Sequence, residues 1–361
     1  MLVLPVVFIT SVISLLVLRK VAFKLMLVDT PNDRKSHDGC VPLVGGIAVY
    51  LSLLLVGIWE RNAISLQSTY FTISGCLVLL GVIDDKFDIS AKARLFILLA
   101  LSIWLVLLKD FSFHYLGNFI DVGAVYMSSP VGCLFSVLAI VFSIVCFNMI
   151  DGIDGLLGSI AIVVLSSLAV LFELNNQSTY VMFCLVLIVA LLPYIVMNLT
   201  LKLPKDYRVF MGDSGSLLIG FTIVWLLVVA TQPNQASLFD SELQNKELAM
   251  SPVTALWLIA MPLMDMLTVM AKRLLNGNSP LKADRSHFHH LLMSVGLSSR
   301  ESVVLIALAA LVFAVIGVLS EIRMVHEATM FFILVYVFLF YFVSNLLLEN
   351  VVKMKMEVTQ L

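Results

Sequence analysis

A chain of 361 residues that is 61% hydrophobic and only 13% charged has too little polar surface to cover a fold in water, where about a quarter of residues carry charge. Its mean hydropathy of +1.05 makes the bilayer its natural solvent. A net charge of −2 with no basic run leaves nothing to hold a nucleic acid.

The chain opens on an apolar run from Met1 to Leu18, followed by Arg19, Lys20 and Lys24 rather than by a small-residue cleavage site. A removable leader is basic first and apolar second, so this run is expected to stay as a first helix. About 20 apolar residues cross a bilayer as a helix. Stretches of that kind lie near 2–22, 44–59, 68–83, 94–108, 129–147, 156–173, 179–197, 213–231, 252–271, 302–320 and 328–348. The expected fold is an all-α polytopic bundle of about eleven transmembrane helices, with the third stretch short and the fifth open to irregularity. No linker, low-complexity tract or repeat divides residues 1–361, so one integral-membrane domain is expected. The five cysteines have no CxxC or Cys/His spacing and are read as small apolar residues.

Lys and Arg set the orientation. With eleven spans, one side receives 18 of the 22 basic residues and the other only Arg61, Lys109, Lys246 and Arg323. The richer side is cytoplasmic, which puts the N-terminus in the periplasm and the C-terminus in the cytoplasm. Every polar cluster described next falls on that cytoplasmic side.

The first segment, Asp29 to His37 with Gly45 and Gly46 after it, is either a substrate lip or a charged loop. IDDKFDIS carries Asp84, Asp85 and Asp88 at the end of an apolar run. In a helix Asp84 and Asp88 share a face, and carboxylates that close need a cation or a proton between them. Lys86, Lys92 and Arg94 follow at once; a solvated acidic loop is the plain alternative. FNMIDGIDGL spaces Asn148, Asp151 and Asp154 so that a helix lines them on one face, with no local Lys or Arg to pair them. A metal or a ligand donor is the natural partner there. FMGDSGS opens the eighth stretch, where free backbone N–H groups suit a phosphate unless Asp213 is itself the cap. Asp265 lies within an apolar run, and a functional role and a helix-packing hydrogen bond are equally open to it. Asp284, Arg285 and His287-Phe288-His289-His290 close the series. A helix there puts His287 and His290 on one side. Zinc lacks an obvious fourth ligand, and phosphate contact by the histidines and Arg285 fits better.

Taken together, IDDKFDIS, NMIDGIDGL, VFMGDSGS and SPLKADRSHFHH, with the opening DTPNDRKSHDGCVPLVGG, resemble the polyprenyl-phosphate N-acetylhexosamine-1-phosphate transferases over nearly the whole chain. The short loop after Asp85 and the HFHH form are similar to the branch that makes undecaprenyl-pyrophosphoryl-N-acetylglucosamine, and less so to the one that transfers phospho-MurNAc-pentapeptide. The resemblance implies UDP-N-acetylglucosamine and undecaprenyl phosphate as substrates, Mg2+ (or Mn2+) as cofactor and the bacterial inner membrane as the location; a homodimer stays open. It implies metal contact by Asp213 and Asn148. It places Asp84 and Asp85 at the lipid-phosphate end with Lys92 or Arg94 on phosphate, and Asp151 and Asp154 at the nucleotide end. Phe210 falls near the uracil, and His287, His289 and His290 around the pyrophosphate. Asp29, Asp88, Asn198, Gly212, Asp284 and Arg285 complete the substrate-binding set with Phe210. Another UDP-N-acetylhexosamine is the rival substrate, and a transporter with acidic cation sites is the rival class.

Overall fold

Gly212–Thr231 (α8) is apolar all round and is buried from Ser214 to Thr231, the pattern of a helix that other helices enclose. The computed structural model describes residues 2–30, 39–59, 68–109, 111–199, 207–233, 248–280 and 286–359. In chain order the helices before α8 are Val3–Leu25 (α1), Gly45–Trp59 (α2), Ser68–Phe87 (α3), Ala91–Lys109 (α4), Ser129–Ile150 (α5), Leu156–Leu174 (α6) and Ser178–Asn198 (α7). After it come Pro252–Leu258 (α9), Ala260–Leu275 (α10), Phe288–Val295 (α11), Ser299–Ile322 (α12) and Glu327–Thr359 (α13).

Small residues let α2 and α3 close on the start of α8. A Cβ on Gly46 would lie 2.1 Å from the Gly215 nitrogen, and one on Gly81 would lie 2.2 Å from that of Ser214. Helices in lipid associate through this kind of close backbone contact rather than through apolar burial. On the other flank a Cβ on Gly220 would meet the Cα of Ile144 in α5 at 2.8 Å. The outer helices present their apolar side chains outward, and Phe332, Tyr336 and Phe340 of α13 are all exposed.

All eleven apolar stretches are helical, and among the described residues eight helices are long and apolar enough to cross a bilayer. The chain is therefore a polytopic membrane protein. The fifth helix is regular. The stretch near 252–271 is not one straight span: α9 and α10 meet at 78°. Pro262 explains the break, because it has no N–H for the Leu258 carbonyl four residues earlier.

Two short antiparallel pairs and one short helix, α11, were not foreseeable from hydropathy. Val28–Asp29 (β1) pairs with Val41–Pro42 (β2), and Tyr115–Gly117 (β3) with Val125–Tyr126 (β4). The first pair matters for the site. The Phe210 N–H donates to the Pro42 carbonyl at 2.9 Å, and those of Gly45 and Gly46 donate to the carbonyls of Phe210 at 2.9 Å and Met211 at 3.0 Å. The segment entering α2 is thereby laced to the segment entering α8.

Candidate active site

The last turn of α3, the first turn of α4, the end of α5 and the start of α8 bring five of the expected residues together. Asp84 is buried, and its carboxylate accepts the Ile89 N–H at 2.9 Å and Arg94 Nη1 at 2.5 Å. Arg94 Nη1 also lies 3.5 Å from Asp213 Oδ2. Lys92 is exposed, so of the two candidate cations Arg94 is the one between carboxylates. Asp85 accepts the N–H of Asp213 at 2.8 Å and that of Ser214 at 3.5 Å. The Asn148 amide faces Asp213 Oδ1 at 2.5 Å and Ser216 Oγ at 2.8 Å.

Three expectations change here. Asp88 does not share a face with Asp84. Helix α3 ends at Phe87, and Asp88 is exposed in the left-handed region at φ 53°, donating its N–H to the Asp84 carbonyl. Asp213 is not the cap of α8 but sits inside its first turn. The cap is Asp85, reaching across from α3. The N–H groups of Asp213 and Ser214 are thus already taken by a carboxylate, which is the anion that this helix end holds. Gly212 makes that approach practicable: its φ is 72°, and a Cβ there would be 2.5 Å from Asp85 Oδ2.

The cluster suits a hard divalent cation. Asp84 and Asp213 share one guanidinium, and Asp85 stands beside them on the N–H groups of α8, so carboxyl groups outnumber the local cation. The Asn148 amide can turn its oxygen toward Asp213, since the Ser216 hydroxyl can donate as well as accept. Among the described residues no three His, Cys, Asp or Glu side chains are grouped as ligands of one ion. Mg2+ does not require three, because it commonly takes one or two carboxylates and fills its shell with phosphate and water.

The second group lies between α5 and α6. The expected single helical face for Asn148, Asp151 and Asp154 fails, because α5 stops at Ile150 and Asp151 has φ −76° and ψ 57°. Gly155, at φ 79°, turns the chain into α6. Asn198 holds that turn: its Oδ1 accepts the Gly155 N–H at 2.6 Å, and its Nδ2 donates to the Val209 carbonyl at 2.9 Å. Asp154 forms an ion pair with Arg208, whose guanidinium lies 5.0 Å from the centre of the Phe210 ring. Arg208 was not in the expected set, and its only sequence signal is its place two residues before Phe210. Burial pushes the Asp151 carboxyl up to about 8, and the neighbouring carboxylates of Asp213 and then Asp154 add to the effect.

The histidines form the third group. The expected helical face for His287 and His290 does not apply, because His287 stands outside α11 as its extended N-cap. His287 Nδ1 is 2.8 Å from Asp265 Oδ2, which gives Asp265 a partner that the sequence left open. The rings of His287 and His289 stack at 5.7 Å, and those of His289 and His290 lie 4.2 Å apart. His289 is buried over Gly152, where a Cβ would be 2.2 Å from its Nε2. This contact joins the histidine group to the Asp151–Asp154 turn. Burial, with His290 beside it, lowers His289 to about 3, so its ring is neutral at neutral pH. Asp29 is half-buried on β1. Asp284 and Arg285 lie outside the described residues, as does most of the segment from Asp29 to His37.

The family described as Glycosyl transferase family 4 matches residues 66–231, the stretch that carries Asp84, Asp85, Arg94, Asn148, Asp151, Asp154 and Asp213. Several relatives are similar over most of the chain. An undecaprenyl-phosphate alpha-N-acetylglucosaminyl 1-phosphate transferase of Yersinia pestis is 40% identical over 93% of this chain and 88% of its own length. The proteins of the same name from Escherichia coli (strain K12) and Pasteurella multocida (strain Pm70) are 42% and 40% identical. These two cover 87% and 90% of this chain and 82% and 87% of their own lengths.

Proposed function

Since the chain belongs to glycosyl transferase family 4, among its undecaprenyl-phosphate alpha-N-acetylglucosaminyl 1-phosphate transferases, we propose that it transfers N-acetylglucosamine 1-phosphate from UDP-N-acetylglucosamine to undecaprenyl phosphate. The observation that carries the reading for this chain's own residues is the convergence of Asp84, Asp85, Arg94, Asn148 and Asp213 from four helices at the start of α8. One oxygen of the lipid phosphate attacks the β-phosphorus of the nucleotide sugar. The bond from that phosphorus to the bridging oxygen breaks, and UMP leaves with the electron pair. A phosphate monoester loses its second proton near pH 6, about one unit below neutral, so the nucleophile is already largely a dianion. Asp84 and Asp85 orient it or take its residual proton, and Arg94 offsets charge between Asp84 and Asp213.

Asp213 and Asn148 are the residues that would hold Mg2+. Once bound, the ion screens the pyrophosphate and the departing UMP. Asp151, Asp154, Arg208 and Phe210 hold the nucleotide end, with His287, His289 and His290 beside the pyrophosphate. The chain crosses the bacterial inner membrane eleven times, with the N-terminus in the periplasm and these groups facing the cytoplasm, where nucleotide sugars are.

Purified protein with undecaprenyl phosphate and a panel of UDP-sugars should release UMP with UDP-N-acetylglucosamine. It should fall silent in EDTA and recover on adding Mg2+. Preference for another UDP-sugar rejects the donor assignment, and full activity after exhaustive chelation rejects the cation.

The raised Asp151 carboxyl adds a pH signature. It is neutral below about 8 and charged above, so rising pH places a further negative charge beside an anionic donor. UDP-N-acetylglucosamine affinity should weaken from neutral to alkaline pH, and Asp151→Asn should flatten the curve. Equilibrium binding across pH decides the matter, and an equally steep fall in the variant assigns the titration elsewhere.

A further inference from the structure

Among the described residues, Asp265 is the buried carboxylate that the reaction described above does not use. It sits on α10, and its oxygens serve three donors from other parts of the chain. Oδ2 faces His287 Nδ1 at 2.8 Å. Oδ1 accepts the Phe288 N–H at 2.9 Å and the Tyr341 hydroxyl at 3.2 Å. His287 provides no side-chain cap for α11, so Asp265 supplies that cap from another helix. Phe288 also packs edge-on against Tyr341, with ring centres 5.3 Å apart. The start of α11 is therefore gripped between α10 and α13.

We propose that Asp265 is a positioning residue for the histidine group: it accepts a hydrogen bond from the His287 Nδ1–H, fixes that ring with Nε2 turned to the substrate side, and pins the start of α11 so that His289 stays over Gly152. A carboxylate on one ring nitrogen settles which nitrogen carries the proton and how the ring is turned. His287 meets Asp265 through Nδ1, so Nε2 is the nitrogen that this contact leaves for a ligand. The substrate side of this inference rests on the transferase reading; the pairing of the two side chains does not.

Asparagine at 265 has one oxygen for sites that both face N–H donors. Its amide either turns toward Phe288 or reverses the His287 tautomer. Asp265→Asn is expected to lower turnover by about 10–100-fold, the usual cost of losing such a support, with KM for UDP-N-acetylglucosamine changing less than kcat. In a His287→Gln background the same change should cost almost nothing further. A cost that persists undiminished in that background overturns the proposal, because it means Asp265 acts without the ring. A second measurement is independent of catalysis. In 15N-histidine-labelled full-length protein, a downfield proton on Nδ1 should be present in the parent and missing in His287→Gln. Its absence from the parent also overturns the pairing. The signal is read without substrate, so failure of the transferase reading shows in UMP release alone and is told apart from failure of the pair.

Discussion

Asp213→Asn should lower turnover by about 10²–10³-fold, the range for losing one preorganised electrostatic contact, and should regain part of it as Mg2+ is raised. The change keeps the shape of the side chain and removes its charge. Asn148 still has a partner at Oδ1, and Arg94 still has Asp84, so the helices around α8 keep their packing. The stability lost by taking an acid from the first turn of α8 is small, about 0.3–1 kcal/mol. Function suffers more, because a neutral amide is a poorer ligand for Mg2+ than a carboxylate. The donor should then bind more weakly at low Mg2+ and approach parental affinity at high Mg2+. Turnover, donor affinity and melting temperature measured over one Mg2+ titration check this. A residual rate that stays level as Mg2+ rises removes Asp213 from the cation site.

Much of the fold was legible because the bilayer enforces a single rule. Backbone groups in lipid must be satisfied within the segment, so a long apolar run is a helix, and all eleven runs are. Hydropathy carries no information on where such a run bends. The break between α9 and α10 follows from Pro262, an apolar residue that leaves the average unchanged. The ladder of β1 with β2 is two residues long and has no period to detect. Helix α11 is eight residues long, too short to register in a hydropathy window set to the width of a bilayer.

The site was legible in residue types and not in partners. Its carboxylates stood out because charge is costly in an apolar chain. The spacing arguments failed wherever a helix ended inside the motif, at Phe87 and at Ile150. A left-handed Asp88 and a non-helical Asp151 set those ends, and periodicity does not register single dihedral angles. The pairs Asp154–Arg208 and Asp265–His287, and the reach of Asp85 to α8, join distant parts of the chain. Packing creates these contacts. The one available hint was general: an Asp inside an apolar run, as at 265, needs a partner somewhere.

Asp85→Asn should behave differently from Asp213→Asn. Asp85 Oδ1 accepts the N–H of Asp213 and Oδ2, at longer range, that of Ser214, so each oxygen already gives one lone pair to the start of α8. A carboxyl group has further lone pairs beyond these two, which leaves capacity to meet the lipid phosphate. Asparagine keeps one acceptor for α8, so the protein should fold and bind UDP-N-acetylglucosamine. It has no charge with which to draw off a proton, and turnover should drop by the roughly 10²–10⁴-fold typical of a lost general base. Extra Mg2+ should not restore it. Raising the pH should, because the lipid phosphate then sheds its remaining proton unaided. Turnover and donor affinity of both variants across Mg2+ and pH separate the roles. Rescue of Asp85→Asn by Mg2+, with Asp213→Asn unmoved, means that the two carboxylates exchange functions. A labelled phosphosugar recovered on Asp84 or Asp85 of the parent enzyme would replace direct displacement by a two-step route, with the carboxylate as first nucleophile.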